Sequence, residues 1–169
     1  MRRSPRHRVS LDELEALYRE RLDAFCSVAA SITGDRDAAR DVVHTAFASA
    51  VQKRLTFKRK SRLETWIWSL VVNAARDHRR RVRPTHPLAD ESVDRASQNG
   101  NAEALTGEIE RGILVLPERQ RLALFLRYYA DLDYQTIAET LGVAPGTVGA
   151  LLHAAHETLR RELAEVNHE

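Results

Sequence analysis

Apolar residues along the first fifty positions recur at intervals of three and four. Leu11, Leu14, Tyr18, Leu22, Phe25, Ala29 and Ile32 form one such series, the period of a helix that buries a single stripe. Gly34 interrupts it, and Asp35 is placed to cap a second helix whose apolar positions Ala39, Val42, Val43, Ala46, Phe47 and Ala50 again keep to one side. Two amphipathic helices joined so tightly must pack on one another.

Between Lys53 and Arg62 the periodicity lapses into a basic stretch whose single aromatic residue is Phe57, which predicts a loop. Ser61-Arg-Leu-Glu64 matches a capping box, and a third helix is expected from there, with Trp66, Ile67, Leu70, Val71 and Ala74 along it. Trp66 and Trp68 are two positions apart and point in nearly opposite directions on a helix, so they cannot both be core. Trp66 shares its side with Leu70 and Ala74 and is expected inside, while Trp68 is expected on the linker or another helix. Arg79-Arg80-Arg81 suit the negative end of the helix dipole, and Pro84 and Pro87 forbid continuation.

From Pro84 to about residue 104 the chain is rich in Asp, Glu, Ser, Asn and Pro without an apolar stripe, as in a connection between domains. Periodicity returns with Ile109, Ile113 and Leu116. Pro117 stands at an expected first helical position, before a helix through Leu122, Phe125, Leu126 and Tyr129. Asp133 caps a short helix carrying Ile137, Ala138 and Leu141. Gly142 ends that helix, and a longer one follows with Val148, Leu152, Ala155, Leu159 and Leu163. Short helix, glycine turn and longer helix make a helix-turn-helix pattern. No alternation long enough for a sheet occurs, so the expected fold is all-α: an N-terminal helical bundle over residues 1–83, a linker over 84–108 and a C-terminal helix-turn-helix domain over 109–169.

Charge changes this picture by its distribution. The net charge of the 169 residues is only +2, yet residues 52–83 hold eleven Lys and Arg against Glu64 and Asp77, a net of +9, and leave −7 for the remainder. A localised cationic region on an otherwise acidic body fits a polyanion footprint. The basic N-terminus lacks the apolar run of a signal peptide, no stretch of about 18 apolar residues exists, and the lone Cys26 supports neither disulfides nor a metal cluster, so it is expected as a small core residue. The expected compartment is the cytoplasm, with no membrane insertion. Seven His accompany the carboxylates, but there is no glycine-rich phosphate loop, no His-Glu-x-x-His and no cysteine pair. No catalytic residue, metal site, cofactor or small-molecule substrate is therefore expected.

In order and spacing these segments resemble the extracytoplasmic-function sigma factors, which carry two domains, regions two and four, on a flexible linker. The resemblance rests on Gly34-Asp-Arg-Asp-Ala-Ala-Arg-Asp41-Val-Val-His-Thr-Ala-Phe47 and on Thr65-Trp-Ile-Trp68 with Asn73, Asp77 and Arg79-Arg80. It continues in Leu116-Pro-Glu-Arg-Gln-Arg121 and Tyr134-Gln-Thr-Ile-Ala-Glu-Thr-Leu-Gly142-Val. It implies a promoter-recognition factor that binds RNA polymerase core enzyme and promoter DNA and answers to an anti-sigma factor. Asp37, Asp41, His44 and Phe47 would then meet the polymerase. Lys53, Arg54, Lys58, Arg59, Lys60 and Arg62 would meet the opened minus-ten strand, with Asn73 on a base edge and Arg76, Arg79 and Arg80 on phosphates.

The last helix departs from the family's pattern. Tyr134 to Thr158 contains no Lys or Arg, Gly149-Ala-Leu151 replaces the usual polar or basic side chains, and Ala144 stands where a Ser cap is common. Thr147, His153 and His156 are the polar readers left for the minus-thirty-five element, so weak binding there is expected, and an exposed run at Gly149-Ala-Leu-Leu152 would suit a protein partner. Two other readings stand beside the sigma factor: an ordinary helix-turn-helix regulator, and a sigma-like regulator with weak minus-thirty-five binding.

Overall fold

A computed structural model describes residues 9–82, 112–113 and 115–166. Its helices are α1 (Leu11–Thr33), α2 (Arg36–Lys53), α3 (Leu63–Val82), α4 (Glu118–Tyr128), α5 (Tyr134–Leu141) and α6 (Pro145–Val166), and no strand occurs among the described residues. The all-α expectation holds. The linker and Ile109 lie outside the described residues.

Local signals set most helix ends. Ser10 caps α1 in a capping box: its hydroxyl accepts from the Glu13 amide at 3.1 Å, and the Glu13 carboxylate accepts from the Ser10 amide at 2.8 Å. Gly34 then closes α1 at φ 74°, donating its amide to the Ala30 carbonyl, a left-handed geometry that is strained for other residues. The Asp35 carboxylate caps α2 by accepting from the amides of Asp37 and Ala38. At α3 the sequence expectation is corrected. The helix starts at Leu63, and Glu64 accepts instead from the Trp68 indole N–H at 3.5 Å and faces Arg21, so it is turned away from a Ser61 cap. Pro117 also moves one position outward: at ψ 146° it precedes α4 as the capping residue, and Glu118 is the first helical residue.

Helices α1, α2 and α3 pack mutually around Phe25, Val28, Val43, Ala46, Ile67, Trp68 and Val71. The tryptophan expectation is corrected in part: Trp68 does pack on another helix, its ring centroid 4.2 Å from Phe25 of α1, but as the 0% exposed core residue, whereas Trp66, expected inside, is half-buried. The stripe that faces α1 and α2 is formed by Ile67, Trp68, Val71, Val72 and Ala75, not by Trp66, Leu70 and Ala74. Cys26 is half-buried against this core, and burial raises its thiol pKa.

Helices α4, α5 and α6 enclose a second core of Leu122, Leu126, Ile137, Val148, Leu152 and Ala155. Asp133 caps α5 by accepting from the Thr136 amide at 2.7 Å, and Gly142 turns the chain at φ 68° into α6. The two units touch: α4 packs on α1 and α5 on α3. Arg21 donates to the Ala130 carbonyl at 3.1 Å across that contact.

Candidate functional site

The loop from α2 to α3 builds the most concentrated cationic feature. Phe57 lies on Trp66 with centroids 4.4 Å apart and planes within 18°, and this stack walls a cleft of about 270 Å³ lined also by Lys53, Thr56, Lys58 and Lys60. The loop holds its shape by local bonds: the Thr56 and Phe57 amides donate to the Lys53 carbonyl. Arg59 takes a positive φ of 48° and is held by the Glu13 carboxylate at 2.7 Å. The Ser10 amide and the Arg59 guanidinium together keep the Glu13 pKa below its usual value. Lys53, Lys58, Lys60 and Arg62 are exposed, and Arg54 is half-buried, donating to the Val51 carbonyl. A stacked aromatic pair inside a ring of ammonium groups can take an unpaired base between π surface and phosphate contacts.

Along α3, Asn73 is exposed, and Arg76 and Arg79 follow at spacings that keep all three on neighbouring faces. The arginines are not open to solvent in the way expected from sequence. Arg76 Nε donates to Glu118 Oε1 at 2.8 Å, and Arg79 lies 2.5 Å from Glu118 Oε2, so both are engaged by the C-terminal unit. Arg80 pairs with Asp77 within its own helix.

On α2, Asp37, Asp41 and His44 are exposed, and His44 Nε2 is 2.9 Å from the Tyr18 hydroxyl. Phe47 must be withdrawn from this surface. It is 8% exposed and packs edge-on against Tyr18 and Phe25, because its turn of the helix faces α1.

On α6, Thr147, His153 and His156 are exposed, and His156 Nε2 is 3.2 Å from the Tyr128 hydroxyl. The expected exposed apolar run is corrected: Leu152 is core and Leu151 half-buried, and only Ala150 is fully on the surface. The uncovered apolar surface of this unit comes instead from Tyr128, Tyr129 and Tyr134 together with Val115, and the Tyr134 ring passes over Gly149. Asp133, next to this face, has its carboxyl pKa lowered by the Thr136 amide, with Arg62 and Arg127 adding a smaller electrostatic pull.

Sequence reasoning missed two elements of this arrangement. Trp66 as one wall of the cleft had a signal in the single aromatic Phe57 of the loop, which needed a partner. Glu118 had none, because its contacts are 42 and 39 positions away in sequence.

No helix among the described residues is long and apolar enough to cross a membrane. Residues 17–85 match the family profile of Sigma-70 region 2, and residues 106–159 that of Sigma-70 region 4. Among curated proteins, the ECF RNA polymerase sigma factor SigM of Mycobacterium tuberculosis is 30% identical over 167 residues, covering 95% of this chain and 80% of its own. The RNA polymerase sigma-E factor of Streptomyces coelicolor is 28% identical over 155 residues, covering 89% and 86%. In fold, the chain is similar to the sigma factor RpoE solved with the anti-sigma factor NepR from Bartonella quintana, at TM-score 0.67 and 23% identity over 91% of this chain and 98% of that one. It is also similar to CnrH solved with the cytosolic domain of CnrY, at TM-score 0.71 and 17% identity over 92% and 90%. With both regions matched in order and a relative of this identity aligned almost end to end, the chain belongs to the extracytoplasmic-function family of RNA polymerase sigma factors, which direct promoter recognition and the initiation of transcription.

Proposed function

We propose a division of labour among the residues. Residues 1–83 bind core polymerase and the minus-ten element, 84–108 link, and 109–169 carry the helix-turn-helix. The stacked Phe57–Trp66 cleft ringed by Lys53, Lys58 and Lys60 carries this reading, because it joins an apolar slot for one base to cations for the strand beside it. An everted base stacks there, and the cations together with Arg54, Arg59 and Arg62 hold the opened strand. Opening costs a few kcal/mol, roughly what one stacked base and its phosphate contacts return. Asn73 meets a base edge, and Arg76, Arg79 and Arg80 hold the backbone. Asp37, Asp41 and His44 form the polymerase contact, leaving Phe47 to shape α2 from inside.

The C-terminal unit binds the minus-thirty-five element weakly, through Thr147, His153 and His156, since α6 has no cation before Arg160 to release counterions from DNA. The protein works in the cytoplasm beside the polymerase and performs no catalysis itself. An anti-sigma factor is its expected inhibitor, as the two solved relatives were each captured with a partner, one of them named as an anti-sigma factor.

The test is run-off transcription with purified bacterial core polymerase on a library of promoter fragments, with the starts sequenced. Starts that require the protein, and that are lost with Trp66→Ala while binding to core is retained, support the assignment. Core binding without any start would leave a sigma-like regulator, and a shift of duplex DNA without core would leave an ordinary helix-turn-helix regulator.

A further inference from the structure

The α3 arginines assigned above to DNA backbone are already occupied, and the group that occupies them is anionic. Glu118 is 12% exposed and opens α4 directly after Pro117, whose fixed φ sets the direction in which the helix begins. Its two oxygens are divided between two guanidiniums one helical turn apart, Oε1 with Arg76 and Oε2 with Arg79. A carboxylate bridging two arginines presents the same charge and acceptor arrangement as two oxygens of a phosphodiester.

One further bond and one weaker attraction act between the units in the same closed arrangement. Arg21 of α1 donates from one guanidinium nitrogen to the Ala130 carbonyl beyond α4 while its other terminal nitrogen faces Glu64 of α3, and Arg62 exerts a small electrostatic pull on the Asp133 carboxyl. Arg62 and the arginine pair are both promoter-strand candidates, and both face acidic side chains of the C-terminal unit. Of the acidic charge that balances the +9 segment, part is therefore delivered by the other domain of the same chain.

We propose that Glu118 is an intramolecular stand-in for promoter phosphate. It holds the two units closed through Arg76 and Arg79 and must leave before those arginines can take up DNA. The inference rests on the assignment of Arg76 and Arg79 to the promoter backbone. Phosphate and Glu118 compete for one site, so DNA binding opens the chain, and whatever separates the units raises affinity for DNA. The two arginines keep 30% and 32% of their side-chain surface in solvent, so salt screens the pairs in part and the closed form weakens as ionic strength rises, while the covalent linker keeps the units together.

The test uses the full chain with Cys26→Ser, and with Ala48→Cys in α2 and Arg161→Cys in α6 carrying a fluorescence donor and acceptor. Glu118→Gln removes the charge at nearly constant shape. Glu118→Asp keeps the charge at the helix start but shortens its reach, so a change shared by both variants reports the bridge and not the helix end. Expected is a longer and broader distance distribution in both variants at low salt, which the parent chain reaches only at high salt. Affinity for an oligonucleotide carrying the nontemplate strand of a promoter, mapped beforehand by transcription, should rise about 3-fold to 10-fold in Glu118→Gln, the effect of removing two partly exposed ion pairs. Identical distances in all three chains overturn the proposal. Longer distances without a gain in DNA affinity overturn it too, since Glu118 would then be a tie between domains and not a competitor of phosphate. If the parent chain starts no transcript with core polymerase, the DNA assignment fails separately, and the distances still report on the closed form.

Discussion

Replacing Trp68 by alanine removes the largest fully buried side chain of the N-terminal core, and replacing Trp66 removes one leaf of an open stack; the two substitutions should part company in every assay. Trp68 is 0% exposed, touches Phe25, and has its indole N–H on Glu64. Its deletion leaves a cavity among helices already packed on both sides, at a cost of about 3 to 5 kcal/mol. For a chain of this size that is a large part of the total stability and lowers the melting temperature by roughly 6 to 20 °C. Trp66→Ala gives up a stacked pair that is half open to solvent, about 1 kcal/mol, or a few degrees. Function should invert this order: Trp66→Ala, well folded, loses promoter opening, whereas Trp68→Ala loses activity only as it unfolds. Calorimetry or circular dichroism measures the first half, and run-off transcription below the melting range the second. Since Trp66 and Trp68 are the only tryptophans, the single-tryptophan variants Trp68→Phe and Trp66→Phe add a direct reading. Emission from Trp66 should be red-shifted and quenched by acrylamide, and that from Trp68 blue-shifted and protected. Equal destabilisation, or equal quenching, would refute the assignment of the core face of α3.

Other measurements follow from the same geometry. Gly149→Ala should stabilise by about 1 kcal/mol, because a Cβ there meets only the Tyr134 ring at an ordinary 3.7 Å while the helix gains propensity; a lower melting temperature would contradict it. Asp133→Ala should cost about 1 kcal/mol at neutral pH through the lost cap of α5. Because the folded-state pKa of Asp133 is lowered, its contribution is complete above the ordinary carboxylate range and is lost as pH falls through the depressed value. The difference in melting temperature between Asp133→Ala and the parent should therefore vanish toward low pH. Changing Lys58 and Lys60 together to Gln should weaken binding to single-stranded promoter DNA and reduce its slope against log salt by about 0.7 per lost phosphate contact, with melting temperature unchanged.

Legibility differed between stripes and faces. The apolar positions of α1 and α2 were readable because each helix turns a single stripe toward the core they share with α3, and Leu14, Phe25, Ala29 and Ile32 are indeed buried, although Leu11 at the start of the series is exposed. In α3 apolar residues stand on more than one side, so the period alone left the choice between Trp66 and Trp68 to the company each keeps. Trp66 does keep company with Leu70 and Ala74, but all three are only half-buried, because that side borders the α2–α3 loop. The Ser61 box failed for a related reason: the same Glu64 that satisfies the motif was drawn to Arg21 and the Trp68 indole, long-range partners a local motif does not register. By contrast Ser10-Leu-Asp-Glu13 obeys that motif fully, a signal the sequence reading did not use, and Glu13 keeps the Ser10 amide even while it holds Arg59.

The candidate site shows the same limit in electrostatic form. The basic segment was evident as a sum, but its effective charge depends on which cations the fold neutralises. Arg59 is bound to Glu13, Arg80 to Asp77, and Arg76 and Arg79 to Glu118. Lys53, Lys58 and Lys60 have no carboxylate partner among the described residues, and they are the three that surround the aromatic cleft. Arginine, with its planar fork, suits exchange between one oxyanion and another, whereas ammonium groups on flexible stems suit a strand whose phosphates are not fixed in advance. On the proposed assignment, the closed chain presents the cleft and its lysines first and holds the α3 arginines in reserve for the promoter backbone. That order matches the energetics of opening: contacts to the everted base offset the unpairing, and contacts to the backbone then replace Glu118 at little electrostatic cost, since one anion leaves as another arrives.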